Sequence, residues 1–208
     1  MININQNHSF AIEDVLFTFA LASEAADVFT KYRHLICGIG KVNAAYYLTK
    51  AIQAERPKLI VNLGSAGSNC YKKGEIVCCT RFVQRDMDVR GLGYEQYETP
   101  FSGLSPILEY GLQMEGITQA TCGTGDSFDM AHCTTIYDVV DMEGYALALV
   151  AMKEDIPFLS LKYISDGADD NAAEDWLVQV HKAAVAFAGV LKLNNEEITV
   201  EGITPRLL

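Results

Sequence analysis

Short apolar runs, dense in β-branched and aromatic residues, recur along this chain, and segments of helical period lie between many of them. Runs at 15–20, 34–37, 59–63, 119–124, 137–142 and 157–164 read as strands, and 74–88 reads as one long strand-like stretch. The segments 41–55, 143–153 and 172–193 read as helices. In the first of these Val42, Ala45, Leu48, Thr49 and Ile52 form the inward face, and Pro57 stops it. The Gly/Tyr/Pro-rich piece 91–106 reads as an excursion loop. Strand and helix alternate without a linker or a repeat, which predicts one α/β domain over 15–193. Its architecture is expected to be a three-layer αβα sandwich around a central mixed β-sheet. Residues 1–14 are expected to be a frayed polar leader and 194–208 a loosely held tail.

Bulk numbers narrow the function. With 50% hydrophobic and 21% charged residues in 208, the chain can bury a core without metal or disulfide staples. Its formal charge of -11 opposes a phosphate backbone, so nucleic acid is not an expected partner. The six cysteines include no C-x-x-C pair and read as reduced thiols of a cytoplasmic protein. The four histidines have no zinc-ligand spacing, and no metal is expected. The apolar run 15–22 is too short to span a bilayer, and Glu13 and Asp14 precede it where a secretory leader carries basic residues. It is expected to be a buried strand, with no membrane partner.

Two glycine motifs fail. Gly38-Ile39-Gly40-Lys41 has Leu35 and Val42 where a phosphate-binding P-loop needs Gly and Ser/Thr. Asn43 and Phe128 stand where dinucleotide-binding fingerprints need their third glycine. Ligands of α/β folds collect at loops leaving strand C-termini. Candidates are 21–24, 64–67, 125–128, 165–169 and the junction 141–143. Three acids end such runs: Asp166, Glu143 and Glu24. A carboxyl stripped of water can hold a proton near neutrality and serve as a general acid. Each taken singly also fits a helix cap or a turn; the three together point to chemistry.

The strings Gly38-Ile39-Gly40-Lys41-Val42, Asn62-Leu63-Gly64-Ser65-Ala66-Gly67, Val140-Asp141-Met142-Glu143 and Ile164-Ser165-Asp166-Gly167-Ala168-Asp169 occur in that order. Together they resemble the nucleoside phosphorylase/nucleosidase superfamily, and most of all the 5'-methylthioadenosine/S-adenosylhomocysteine nucleosidases, from about residue 15 to 191. The resemblance implies hydrolysis of an N-glycosidic bond without a cofactor. It implies that Asp166 protonates adenine N7, that Glu143 binds the ribose hydroxyls with Met142 beside the sugar, and that Glu24 orients the attacking water near Ser65. By the same resemblance Phe128 would stack on the base, and main-chain groups around Phe128 and Asp129 would select adenine. The resemblance also implies that Leu21, Ile39, Val89, Leu92 and Tyr94 line the 5'-substituent pocket and that Ser165 belongs to the substrate site. In the family the loop corresponding to 89–100 closes on a partner subunit's site, so the resemblance implies a homodimer.

Departures from the family pattern bear on the substrate. Only 13 residues (25–37) separate Glu24 from Gly38, where the family has a longer segment. Lys162 replaces an arginine near ribose and water, Leu21 a methionine, Asp129 an apolar residue and Arg90 a small one. The lid before Trp176 is about three residues short. Two rivals follow. A phosphate-dependent phosphorylase would draw on Arg81, Arg85 and Arg90, and Arg90 could also serve a 5'-phosphate. A nucleoside-binding homologue would have lost turnover.

Overall fold

The computed structural model describes residues 1–128, 134–168 and 172–193. Its elements run β1 (Ile2–Asn5), β2 (His8–Phe10), β3 (Val15–Phe19), α1 (Ala22–Ala25), β4 (His34–Ile36), α2 (Lys41–Ala54) and β5 (Leu59–Gly67). Then follow β6 (Ile76–Gln84), β7 (Ile107–Glu109), β8 (Thr118–Thr124), β9 (Val139–Asp141), α3 (Gly144–Lys153), β10 (Phe158–Asp166) and α4 (Ala172–Val190).

The main sheet is mixed. β4, β3, β5 and β10 are parallel neighbours, β10 meets β6 antiparallel, and β6, β8 and β9 run parallel. A single antiparallel pair, Gly67 with Val140, joins β9 back to β5, so β5, β10, β6, β8 and β9 close into a ring. β3 and β4 extend from it through β5, and β7 pairs with β6 beyond the stretch that β10 occupies. Strands covered on both faces need apolar residues at every position rather than at alternate ones. β10 is buried throughout, and β5 at all positions but Ser65. Leu48, Ile52, Leu147 and Ala151 of α2 and α3 pack one face with Phe82 and Phe158. Ala183, Ala184 and Phe187 of α4 pack the other with Phe17, Phe19 and Phe29. The three-layer α/β expectation is met.

Four local expectations need correction. Residues 1–14 are not frayed: β1 and β2 form an antiparallel hairpin in which Ile2 and Ile4 are fully buried. Their alternation with Asn3 and Asn5 is a period-2 pattern that the flanking polar residues obscured. The hairpin is tied down where the Glu115 amide donates to the Ile4 carbonyl at 2.8 Å. Residues 64–67 are not a loop, because β5 stays paired with β10 through Gly67. Asp166 likewise ends β10 instead of opening a turn. On α2 the inward row is Ala44, Leu48 and Ile52, spaced by four, while Val42 is 79% exposed. The short segment 25–37 suffices because Phe29 plugs the core in a 3-10 turn and β4 then pairs directly with β3. The tail 194–208 and Trp176 lie outside what the structure describes in side-chain detail. Among the described residues no helix is long and apolar enough to cross a membrane.

Candidate active site

The ends of β3, β5, β6, β8, β9 and β10 converge on one cavity of about 390 Å³. That lies within the roughly 300–1,000 Å³ usual for small-molecule sites. Glu24, Ser65, Glu143, Ser165 and Asp166 supply its polar wall. Leu21, Ile39, Met142 and Phe128 supply apolar wall.

Glu24 is 4% exposed, and four donors hold it. Its Oε1 accepts from the Ser65 amide at 2.9 Å and from the Ser65 hydroxyl at 2.8 Å. Its Oε2 accepts from the amides of Ala20 and Leu21, each at 3.2 Å. The carboxylate is therefore locked in one orientation, with Ser65 as its clamp.

Glu143 occupies the N-cap position of α3, yet its side chain does not cap the helix. It reaches back to the glycine turn, where its Oε1 accepts from the Gly40 amide at 2.8 Å. Burial, then the Asp141 charge, push its carboxyl up to about 8, against the opposing pull of Lys162 and the Gly40 N–H. The capping falls to Asp141, whose Oδ2 accepts from the Gly144 amide at 2.8 Å.

Asp166 is 3% exposed at the end of β10. Its Oδ2 accepts from the Ser165 hydroxyl at 2.7 Å and its Oδ1 from the Ala168 amide at 2.9 Å. Ser165 thus orients the aspartate as well as lining the cavity. Gly67 is required opposite, since a Cβ there would stand 2.5 Å from Asp166 Oδ1.

Lys162 is not on the wall but beneath it. Its Nζ lies 2.7 Å from Asp141 Oδ2, with both side chains 1% exposed. Burial alone would lower the lysine, but Asp141 and Glu143 outweigh it and hold the ammonium charged. Asp141 is correspondingly held below the usual carboxylate range, the lysine overcoming the cost of burial. Gly64 makes room for this, because a Cβ there would meet Lys162 Nζ at 3.3 Å and Glu24 Oε1 at 3.5 Å.

Not every expected residue joins the cavity. Val89, Leu92 and Tyr94 are absent from the wall of their own chain. Leu92 is 75% exposed, and Tyr94 rests against Phe101 with ring centres 6.1 Å apart. Asp129 lies outside the described residues. Of the three arginines that would favour phosphate, Arg81 is an exposed residue of β6 and Arg90 pairs with Asp88 at 2.6 Å on the surface. Arg85 alone of the three reaches the cavity, where it bonds the Ser127 hydroxyl at 3.2 Å and the Ser127 carbonyl.

Two residues carry more than the sequence reading assigned to them. The sequence marks Asp141 only as part of a junction, and Arg85 only as a phosphate candidate. A signal for the first existed: Lys162 interrupts the apolar run of β10, and a fully buried lysine requires an acid partner.

The family model described as the phosphorylase superfamily matches residues 33–193. The chain belongs to the phosphorylase superfamily. Two members similar to it in sequence are 5'-methylthioadenosine/S-adenosylhomocysteine nucleosidases. That of an Exiguobacterium species is 32% identical over 158 residues, covering 65% of this chain and 67% of the relative. That of Bacillus cereus (strain B4264) is 32% identical over 163 residues, covering 66% and 70%. In structure, the Helicobacter pylori nucleosidase of the same name superposes with a TM-score of 0.77 at 20% identity, covering 88% of this chain and 97% of that one. The futalosine hydrolase of the same organism gives 0.77 at 19% identity, covering 87% and 96%. These two structures share the fold. The matched span holds Ser65, Asp141, Glu143, Lys162 and Asp166, while Glu24 precedes it.

Proposed function

We propose that this chain hydrolyses the N-glycosidic bond of 5'-substituted adenosines of the 5'-methylthioadenosine/S-adenosylhomocysteine type, releasing adenine and the free 5-substituted ribose. The observation that carries this reading is the meeting of three buried carboxyls, Asp166, Glu143 and Glu24, on one cavity wall. Adenine departs poorly as an anion and well once protonated. Asp166 donates that proton to N7, and such general acid catalysis supplies roughly 10²–10⁴-fold. As the bond breaks the sugar becomes oxocarbenium-like, and Glu143 on the ribose hydroxyls stabilises the developing positive charge. Glu24, clamped by Ser65, holds the attacking water on the opposite face, so the anomeric carbon inverts. No cofactor takes part.

Met142 packs against the sugar and Phe128 stacks on the base. Leu21 and Ile39 begin the 5' pocket. Val89, Leu92 and Tyr94 complete it from a second subunit, which makes the active form a homodimer. The support is a set of exposed apolar residues on β4, the glycine turn and α2, of which Ile39 also lines the cavity: Ile36, Ile39, Val42, Tyr46 and Tyr47 are 37–79% exposed. Val42→Glu is expected to convert a dimer into a monomer in light scattering, with loss of affinity for the 5'-substituent. A wild-type monomer at micromolar concentration would reject the assembly. A cytoplasmic location fits the free thiols of Cys37, Cys70, Cys78, Cys79 and Cys122.

Water rather than phosphate is the co-substrate, because an anion beside Glu24 would be repelled, Arg81 and Arg90 are absent from the cavity wall, and Arg85, which reaches it, is engaged by Ser127. The test is a phosphate-free panel of 5'-methylthioadenosine, S-adenosylhomocysteine, adenosine and futalosine, following base release. Release of adenine from the first two without phosphate is expected. Strict dependence on phosphate would overturn the reading.

A further inference from the structure

The floor of the cavity holds an unusual concentration of buried charge. Lys162 and Asp141 form their 2.7 Å pair with both side chains 1% exposed. Asp141 has further donors: Thr124 Oγ1 at 2.6 Å on Oδ1 and the Gly144 amide at 2.8 Å on Oδ2. Thr124 Oγ1 in turn accepts from the Tyr145 amide at 2.8 Å. The pair bridges β9 to β10 across β5, at the level of Gly64, which is the register partner of Lys162. Two residues beyond Asp141 stands Glu143, buried and facing the ligand space.

Asp141, Lys162, Glu24 and the Gly40 N–H act on Glu143. Asp141 comes from β9, Lys162 from β10 and Glu24 from α1, while Asp166 of β10 and Arg85, next after β6, line the same cavity. Cys37 lies after β4, and burial pushes its thiol up to about 12, so it stays neutral. Cys122 of β8 sits behind the pair and is also held neutral by burial. Burial, Asp141 and Glu24 oppose charge on Glu143, while Lys162 and the Gly40 N–H favour it.

We propose that Lys162 and Asp141 are positioning residues that act through Glu143, setting whether its carboxyl is charged and therefore the pH above which the site can grip a sugar diol. In its effect on turnover this rests on the nucleosidase reading; in its effect on Glu143 it does not. A charged Glu143 accepts from two hydroxyls and stabilises a cationic sugar; a protonated one does neither well. The intact pair carries no net charge. Removing only the aspartate leaves a bare ammonium nearby, and an opposite charge within a few ångströms lowers a carboxyl by roughly 1–3 units. Removing both partners restores neutrality. If the pair were merely a tie across β5, these substitutions would change stability and leave the titration of Glu143 in place.

The experiment labels glutamate side chains with ¹³C at the carboxyl and follows through pH 5–10 the NMR signal that Glu143→Gln deletes. The wild-type midpoint is expected near 8. In Asp141→Asn it should fall by roughly one unit or more. In the double variant Asp141→Asn/Lys162→Met it should return toward wild type, and Lys162→Arg should leave it unmoved. Asp141→Ser makes the same change of charge should the asparagine variant not fold. An unmoved midpoint in the aspartate variants, or an equal fall in the single and double variants, overturns the proposal. The acid limb of kcat/KM for adenine release from 5'-methylthioadenosine should move with the midpoint. If the midpoint moves but the wild type releases no adenine, the nucleosidase reading fails and the control of Glu143 by the pair stands.

Discussion

Asp166→Asn is expected to bind a 5'-substituted adenosine with near wild-type affinity and to lose roughly 10²–10⁴-fold in kcat. The substitution changes few atoms. The asparagine carbonyl can still accept from the Ala168 amide, which sits 2.9 Å from Oδ1, and the Ser165 hydroxyl can rotate to meet the new amide. Gly67 leaves space for either side chain. What disappears is a proton that can be given to a purine nitrogen in the transition state. An interaction made only there appears in kcat and kcat/KM together, not in ground-state binding. Single-turnover adenine release together with calorimetric binding of a non-hydrolysable analogue separates the two. A kcat within about threefold of wild type would remove Asp166 from the mechanism; an equal loss in binding would make it a ligand-holding group instead.

Lys162→Met is expected to be the most destabilising single change at the site, by roughly 3–5 kcal/mol. Methionine fills much of the lysine's volume, so packing is not the main loss. The loss arises because Asp141 stays buried, 1% exposed, without its cation. Thr124 and the Gly144 amide still donate to it, but two hydrogen bonds do not replace a unit charge at 2.7 Å. Since a domain's whole stability is about 5–15 kcal/mol, the variant should sit near the limit of folding. Adding Asp141→Asn should recover most of the loss, because the orphaned charge goes with its partner. The sign with pH follows from the directions of the shifts. Asp141 is held below its usual range in the wild type, so the pair's stabilisation is present above the unfolded carboxylate pKa and is lost as pH falls through the folded one. The gap between wild type and Lys162→Met should accordingly close in acid. Urea midpoints at pH 7 and at a pH below the usual carboxylate range measure it; a single variant as stable as the double would refute the account.

Legibility from sequence followed the range of the interaction involved. Strands such as β3, β5 and β10 were readable because a strand covered on both faces must itself be an apolar run. The acids at the ends of such runs, Asp166, Glu143 and Glu24, could be picked out for the same local reason. The hairpin at Ile2–Asn5 and His8–Phe10 was missed because its buried positions are only two isoleucines among polar neighbours. The outward turn of Val42 was missed because helical period defines a stripe but not which neighbouring row meets the sheet.

What the sequence by itself determined, then, was the alternation of strands and helices, the absence of the two common glycine-loop nucleotide motifs, and the identity of the acids worth suspecting. Tertiary structure alone decided that those acids share one cavity, that the ring closes through the single pair Gly67–Val140, and that Asp141 answers Lys162. It also turned Glu143 away from its own helix toward the Gly40 amide, 103 positions back along the chain. Periodicity records burial within an element, whereas these contacts depend on register between distant strands, and only the assembled sheet sets that register.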